Sequence, residues 1–189
     1  MLEVIILAAG QGSRMQSSLP KVLHTLAGQP LVLHVLEGAR KLGAQQIHVV
    51  VGHGAEAVEA TVSAPDVQCH LQAEQRGTGH AVQQAIGACQ AESTVLVLFG
   101  DVPLIAEQTL REVVSAAKTG VAMLSANLEN PAGYGRVERD PQGQFIAVVE
   151  EQDATEEQRR LTEINTGVLA SNAGALKAWL ARVDNQNAQ

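Results

Sequence analysis

The sequence predicts an α/β protein built on a mostly parallel sheet with helices on both faces, and three observations carry that prediction. Near-continuous apolar runs at residues 4–7, 47–51 and 95–99 have the character of strands buried on both faces. Between them, residues 31–42, 55–62 and 79–89 show helical spacing, so the chain alternates as βαβ units do. Of the 189 residues 46% are apolar and only 2% aromatic, enough Val, Ile, Leu and Ala for one sizeable core.

Taken in order, Val4 to Leu7 opens the chain as a central strand, and Leu31 to Leu42 forms the first helix. Ile47 to Val51 and Ala55 to Val62 repeat the pair. In Val67 to Leu71, Val67, Cys69 and Leu71 alternate with Gln68 and His70, which predicts a strand with one wetter face near the sheet's margin. Gly79 to Cys89, Val95 to Phe99 and Ala106 to Ala117 continue the alternation. Val121 to Ala126, Gly135 to Arg139 and Phe145 to Glu150 read as shorter strands of a smaller mixed β region, punctuated by Asn130-Pro131 and Pro141-Gln142-Gly143. No internal repeat or linker interrupts the chain before the polar Asp184 to Asn187 stretch.

Composition excludes several function classes. A formal net charge of −7, with 13 Lys and Arg scattered along the chain, does not suit a nucleic-acid surface. No segment approaches the roughly 20 apolar residues of a membrane span, and Met1 leads straight into a strand carrying Glu3 without a basic leader, so a cytoplasmic protein is expected. Cys69 and Cys89 lack zinc-ligand spacing and are expected as free, partly buried thiols, with Cys69 and His70 on opposite faces of their strand. The six histidines show no metal-ligand spacing either and are assigned to packing or surface roles, as are Tyr134 and Trp179.

Two features carry chemistry. The first strand empties into Gly10-Gln11-Gly12-Ser13-Arg14, with Lys21 close behind. Glycines let backbone N–H groups approach phosphate oxygens, and Arg14 and Lys21 add full positive charge, so the loop is suited to a polyphosphate. It is neither a dinucleotide fingerprint, which needs glycine where Met15 stands, nor a Walker loop. The second feature is Asp101, which leaves the Val95 to Phe99 strand beside Gly100 at the edge where parallel sheets bind ligands. Such a carboxylate can hold a phosphate-bound Mg2+, although capping a following turn is the other common use of aspartate there.

The segment Leu7-Ala8-Ala9-Gly10-Gln11-Gly12-Ser13-Arg14-Met15, followed by Leu19-Pro20-Lys21-Val22-Leu23, resembles the signature of the sugar-1-phosphate nucleotidyltransferases. Gln72-Ala73-Glu74-Gln75, Gly77-Thr78-Gly79-His80, Gly100 to Leu104, Gly133-Tyr134-Gly135-Arg136, Val149-Glu150 and Glu163 to Gly167 narrow the resemblance to the bacterial bifunctional N-acetylglucosamine-1-phosphate uridyltransferases. It runs almost end to end and implies a Rossmann-like fold of the nucleotide-diphospho-sugar transferase type. In that family a C-terminal β-helix domain acetylates glucosamine-1-phosphate, and no such repeat occurs within residues 1–189. The family domain also continues past Gln189 with a further metal-binding asparagine, so the chain reads as a truncated nucleotidyltransferase domain whose turnover is open.

The resemblance implies that Leu7, Ala8, Ala9, Gly10 and Gly12 meet the nucleotide through backbone groups, with Gln72, Gly77 and Thr78 around uracil. Arg14 and Lys21 would face phosphates, Phe99 and Gly100 would reach the ribose, and Asp101 would hold Mg2+. Some family members carry tyrosine at the position of Phe99, which offers no hydroxyl. Gly135, Glu150 and Asn165 would hold the N-acetylglucosamine portion. On residues alone, Glu150 could equally be a solvated strand end and Asn165-Thr166-Gly167 a turn.

The implied substrates are UTP and N-acetylglucosamine-1-phosphate, and the products UDP-N-acetylglucosamine and pyrophosphate, serving cell-wall biogenesis. Full-length family members are expected to be homo-oligomers. The attacking phosphate is already ionised, so positioning and charge neutralisation by Arg14, Lys21 and Asp101 suffice without a strong base. Two alternatives share the opening signature: a sibling enzyme using another nucleotide or sugar, and a module that binds a nucleotide sugar without chemistry.

Overall fold

A seven-residue strand without a polar face, β1 (Leu2–Ala8) can only sit inside a sheet covered on both sides. The computed structural model describes residues 1–12, 15 and 17–183 and places β1 in that position. Residues 1–122 with 169–183 form one unit, and residues 123–168 belong to a second.

In the first unit β1 is followed by a 3₁₀ turn at Lys21–Leu23 and a small hairpin, β2 (Thr25–Leu26) with β3 (Gln29–Pro30). Next come α1 (Leu31–Lys41), β4 (Gln46–Val51), α2 (Ala55–Val62), β5 (Val67–Leu71), α3 (Thr78–Ile86), β6 (Thr94–Phe99) and α4 (Glu107–Ala116). The sheet order is β5-β4-β1-β6, all parallel, with β5 at the margin as its polar alternation foretold.

Register fixes where the strands end. Ala8 lies opposite Val51, Leu7 opposite Phe99, and Val51 opposite Leu71, so the carboxyl ends of all these strands form one edge. On one face Ile5, Leu7, Val95 and Val97 pack beneath Ala81, Val82 and Ala85 of α3. On the other, Val4 and Ile6 are equally buried, with α1 against β1 and α2 against β4. Each such side chain contributes about 1.5–3 kcal/mol by leaving water.

Helix α1 shows how local sequence sets an element. Val32, Val35, Leu36 and Ala39 make a buried stripe at helical spacing, and Arg40 and Lys41 stand in the last turn, where they complement the helix dipole. The predicted helix at 79–89 stops earlier, at Ile86, with Gly87 as its C-cap.

The second unit contains β7 (Ala122–Asn127) from its second residue, β8 (Arg136–Arg139), β9 (Phe145–Val149), α5 (Glu156–Arg159) and the start of β10 (Glu163–Asn172). β8 pairs antiparallel with both β9 and β10, and β7 pairs with β10. Residues 169–172 of β10 belong to the first unit, where they run antiparallel to β6, and α6 (Ala173–Leu180) follows with Asn172 as its cap.

β10 corrects the turn alternative for Asn165-Thr166-Gly167. These residues are strand, but Asn165 Oδ1 accepts from the Gly167 N–H at 2.8 Å and Gly167 has a φ of +80°. A turn-like hydrogen bond is embedded in an extended segment, so local sequence resembles a loop while ladder pairing makes it a strand. Cys69 and Cys89 are free and partly buried, as expected. Among the described residues no helix is long and apolar enough to cross a membrane.

In the second unit, Arg139 donates two hydrogen bonds to Glu163 at 2.7 Å and Ser125 Oγ donates a third at 2.6 Å, which holds the Glu163 carboxyl down to about 2. A carboxyl depressed in the folded state adds stability above the ordinary carboxylate range and loses it as pH falls through about 2. Glu163→Gln should therefore cost about 1 kcal/mol near neutrality, allowing for solvent screening of Arg139. Denaturant titrations of both proteins from pH 6 down to pH 3 should show that difference narrowing steadily below about pH 5.

Candidate active site

At the carboxyl edge of the first unit's sheet lies a cavity of about 540 Å³. The end of β1 supplies Leu7 and Ala8, and the segment beyond it supplies Ala9, Gly10, Gly12 and Met15. Lys21 and Val22 line it from the 3₁₀ turn, Gln72 and Gln75 from the segment after β5, and Gly77, Thr78 and Ala81 from the start of α3. Phe99 and Asp101 complete it beyond β6.

Two hydrogen bonds fix the point where the chain leaves β1. The Ala9 carbonyl accepts from Gln75 Nε2 at 2.8 Å and from the His53 N–H at 3.3 Å, so the chain leaves β1 in a defined direction. Gly12 has a φ of +61°, and a Cβ there would stand 2.7 Å from Lys21 Cβ. The glycine is thus required twice, for a left-handed backbone and for the lysine stem beside it.

Lys21 Nζ lies 2.5 Å from Asp101 Oδ2, with the two side chains 43% and 22% exposed. A wet pair of this kind adds only about 0–1 kcal/mol to stability. Its value is positional, because a cation and a carboxylate are presented together at a cavity wall. Asp101 is the one carboxylate among the described lining residues. A single hard oxygen donor fits Mg2+, which keeps several waters and takes one or two protein carboxylates beside a ligand's phosphates.

Gln72 is buried, and its Nε2 lies 3.0 Å from His80 Nδ1 and donates to the Gly77 carbonyl at 3.3 Å. With His80 in the tautomer that leaves Nδ1 as acceptor, both amide hydrogens are directed into the protein, and Oε1 remains as the acceptor a ligand N–H can use. His80, which sequence reasoning assigned only to packing or surface, orients that amide. Its place in Gly77-Thr78-Gly79-His80, in the first turn of α3, was the available signal.

Gly100 is not a lining residue. Its N–H donates to the Leu7 carbonyl at 2.9 Å, and a Cβ would meet Val22 Cγ1 at 3.1 Å, so it closes β6 against β1 and lets Val22 pack. Arg14 lies outside the described residues.

The second unit brings Gly135, Glu150 and Asn165 together. The Asn165 N–H donates to the Gly135 carbonyl at 2.8 Å, and a Cβ on Gly135 would stand 2.9 Å from Val148 Cγ1 and 3.1 Å from Glu150 Oε1. Sequence reasoning missed the support beneath them. Arg136 is 2% exposed, donates to the carbonyls of Tyr134 and Arg159, and pairs with Glu151 Oε2 at 2.8 Å. The same oxygen accepts from the Gly133 N–H at 3.1 Å. Hydrogen bonds from Arg136 and then Gly133 hold the Glu151 carboxyl below its ordinary range.

A glycine loop, a lysine and a carboxylate at the carboxyl edge of a parallel sheet are the parts of a nucleotide-handling site, and residues 4–178 match the family model described as the MobA-like NTP transferase domain. The chain belongs to that family. Over its whole length it is 52% identical to the bifunctional protein GlmU of Cellvibrio japonicus (strain Ueda107), and it spans 42% of that protein. A candidate glucose-1-phosphate thymidylyltransferase from Bacillus anthracis, solved in complex with a sucrose, superposes with a TM-score of 0.83. At 16% identity, covering 97% of this chain and 76% of that one, this likeness is of fold alone.

Gly12→Ala should weaken nucleoside triphosphate binding about tenfold or more while leaving the far-UV circular dichroism unchanged. The left-handed backbone and the Lys21 stem together resist a methyl group by about 1–3 kcal/mol. Calorimetric titration of both proteins checks it.

Proposed function

We propose that this domain transfers the uridylyl group of UTP to N-acetylglucosamine-1-phosphate, releasing pyrophosphate and forming UDP-N-acetylglucosamine. The observation that carries the reading is Lys21 beside Asp101 on the wall of a glycine-edged cavity, in a chain 52% identical to a bifunctional GlmU protein. Both substrates are charged cytoplasmic metabolites, and the reaction is assigned to that compartment.

In this reading a phosphate oxygen of the sugar phosphate attacks the α-phosphorus of UTP, and the bond to the β-phosphate oxygen breaks. Two anions must be brought together. Lys21 neutralises one of them, with Arg14 assigned to the triphosphate, while Gly10 and Gly12 let backbone N–H groups approach phosphate oxygens. Asp101 would hold Mg2+, which when bound neutralises phosphate charge and orients the reacting groups. Lys21 then exchanges its ion pair with Asp101 for the ligand's phosphate, so neither charge is left unpaired.

The base is assigned to Gln72, whose Oε1 can accept from the N3–H of uracil, with Gly77 and Thr78 beside it. Phe99 offers the ribose shape alone. The sugar is assigned to Gly135, Glu150 and Asn165: a carboxylate accepts from hydroxyls, while Asn165 offers an amide donor to the acetamide. A sibling specificity is the second reading, because an acceptor at Gln72 also suits the N1–H of guanine.

Pyrophosphate should appear only when UTP, N-acetylglucosamine-1-phosphate and Mg2+ are all present with the full-length protein. No release under those conditions ends the uridylyltransferase reading, and GTP outcompeting UTP moves it to the sibling. Lys21→Ala or Asp101→Asn should each lower kcat on the order of a hundredfold, about 3 kcal/mol, as loss of one charge-stabilising group does.

A further inference from the structure

The amino end of the same sheet holds a second constellation that the nucleotide chemistry does not use. Glu3 on β1 and His48 on β4 are both buried, and Glu3 Oε2 lies 3.1 Å from His48 Nε2. Cys89, in the turn after α3, completes a trio whose ligand atoms lie within 4.8 Å of one another. Glu3 is five residues upstream of Ala8, which along a strand is about 16 Å from the nucleotide edge. The two sites are separate.

Two of the three are already oriented by their neighbours. His48 Nδ1 lies 3.0 Å from His70 Nε2, the outer-shell contact that sets the tautomer and ring orientation of a ligating histidine. Glu3 Oε1 accepts from the Gln90 N–H at 2.9 Å, which fixes the carboxylate and leaves Oε2 aimed at His48. Burial pushes the Glu3 carboxyl up, but hydrogen bonds from Ser93, His48 and Gln90 outweigh it and hold it below its ordinary range. Burial, followed by the charge and hydrogen bonding of Glu3, pushes the Cys89 thiol up to about 12. In the metal-free protein an ionised carboxylate is therefore enclosed in the core with a neutral thiol beside it.

We propose that Glu3, His48 and Cys89 form a Zn2+ site at the amino end of the sheet. Carboxylate oxygen, imidazole nitrogen and thiolate sulfur are the three donor types zinc prefers, and a tetrahedral ion at bond lengths of about 2.0–2.3 Å needs its donors roughly 3.3–3.8 Å apart. The trio reaches that spacing by small side-chain adjustments, and water fills the fourth position. On binding, the Cys89 S–H bond breaks, its proton goes to solvent and the sulfur bonds the metal. His48 moves its N–H from Nε2 to Nδ1, and His70 moves its own from Nε2 to Nδ1, so that His70 Nε2 turns from donor to acceptor and no proton is gained or lost by the pair. One proton leaves for each ion bound, and the local charge goes from −1 to zero, which suits a buried setting. The ion would tie β1, β4 and the segment after α3 together, independently of the nucleotide reading.

Cobalt(II) titration of the full-length reduced protein after chelator treatment tests this, since a thiolate ligand gives a near-ultraviolet charge-transfer band. The expected result is a band saturating at one equivalent and displaced by Zn2+, with about one proton released per zinc. Cys89→Ser, which keeps a donor toward the Ala85 carbonyl, should abolish the band and weaken zinc binding at least tenfold in chelator competition. Cys69→Ser should change neither. No saturable one-equivalent binding, a band that follows Cys69, or less than tenfold weakening in Cys89→Ser overturns the site.

Discussion

β1 is hydrogen-bonded on both sides and buried on both faces, and the candidate site depends on that constraint. Neither flank nor face leaves it room to shift, so the register brings the exits of β1, β4, β5 and β6 to one edge. Beyond Ala9 the chain must turn away from the sheet, and the two donors on the Ala9 carbonyl decide how. The glycine loop is a consequence of where a rigid strand stops.

Charge is used sparingly. With a net charge of −7, cations have to be placed where they are needed, and Lys21 is held against Asp101 on the cavity wall. The pair is too wet to be a stability device. The contrast is Arg136, whose buried guanidinium gathers carbonyls and the Glu151 carboxylate to shape the backbone of residues 133–136. One cation stands at a cavity wall, and the other is enclosed where it shapes the backbone.

The two ends of β1 carry opposite kinds of polarity. At its carboxyl end backbone groups and a partly exposed ion pair face a cavity. At its amino end Glu3 is enclosed by Gln90, His48 and Cys89, a dry arrangement in which a carboxylate needs a donor in every direction. The parallel sheet separates these roles by the length of one strand.

Much of this was legible in the chain. Apolar runs and helical stripes placed β1, α1, β4, α2, β6 and α4 to within a residue or two, because burial leaves an unbroken apolar signature in a strand and a periodic one in a helix. The alternation in Val67 to Leu71 located the sheet's margin for the complementary reason. β10 and α6 were not legible, since Asn165, Thr166 and Gly167 carry turn chemistry that only pairing with neighbouring strands overrides. Candidate site residues could be named from motifs, but their partners could not. Motif spacing reports the backbone a residue sits on, whereas Lys21 meeting Asp101, His80 turning Gln72, and Glu3 reaching His48 and Cys89 are contacts between segments far apart in sequence. Sequence alone determined which residue types stand at each strand end; tertiary structure decided which of them touch, because strand order and register are set by packing the whole sheet.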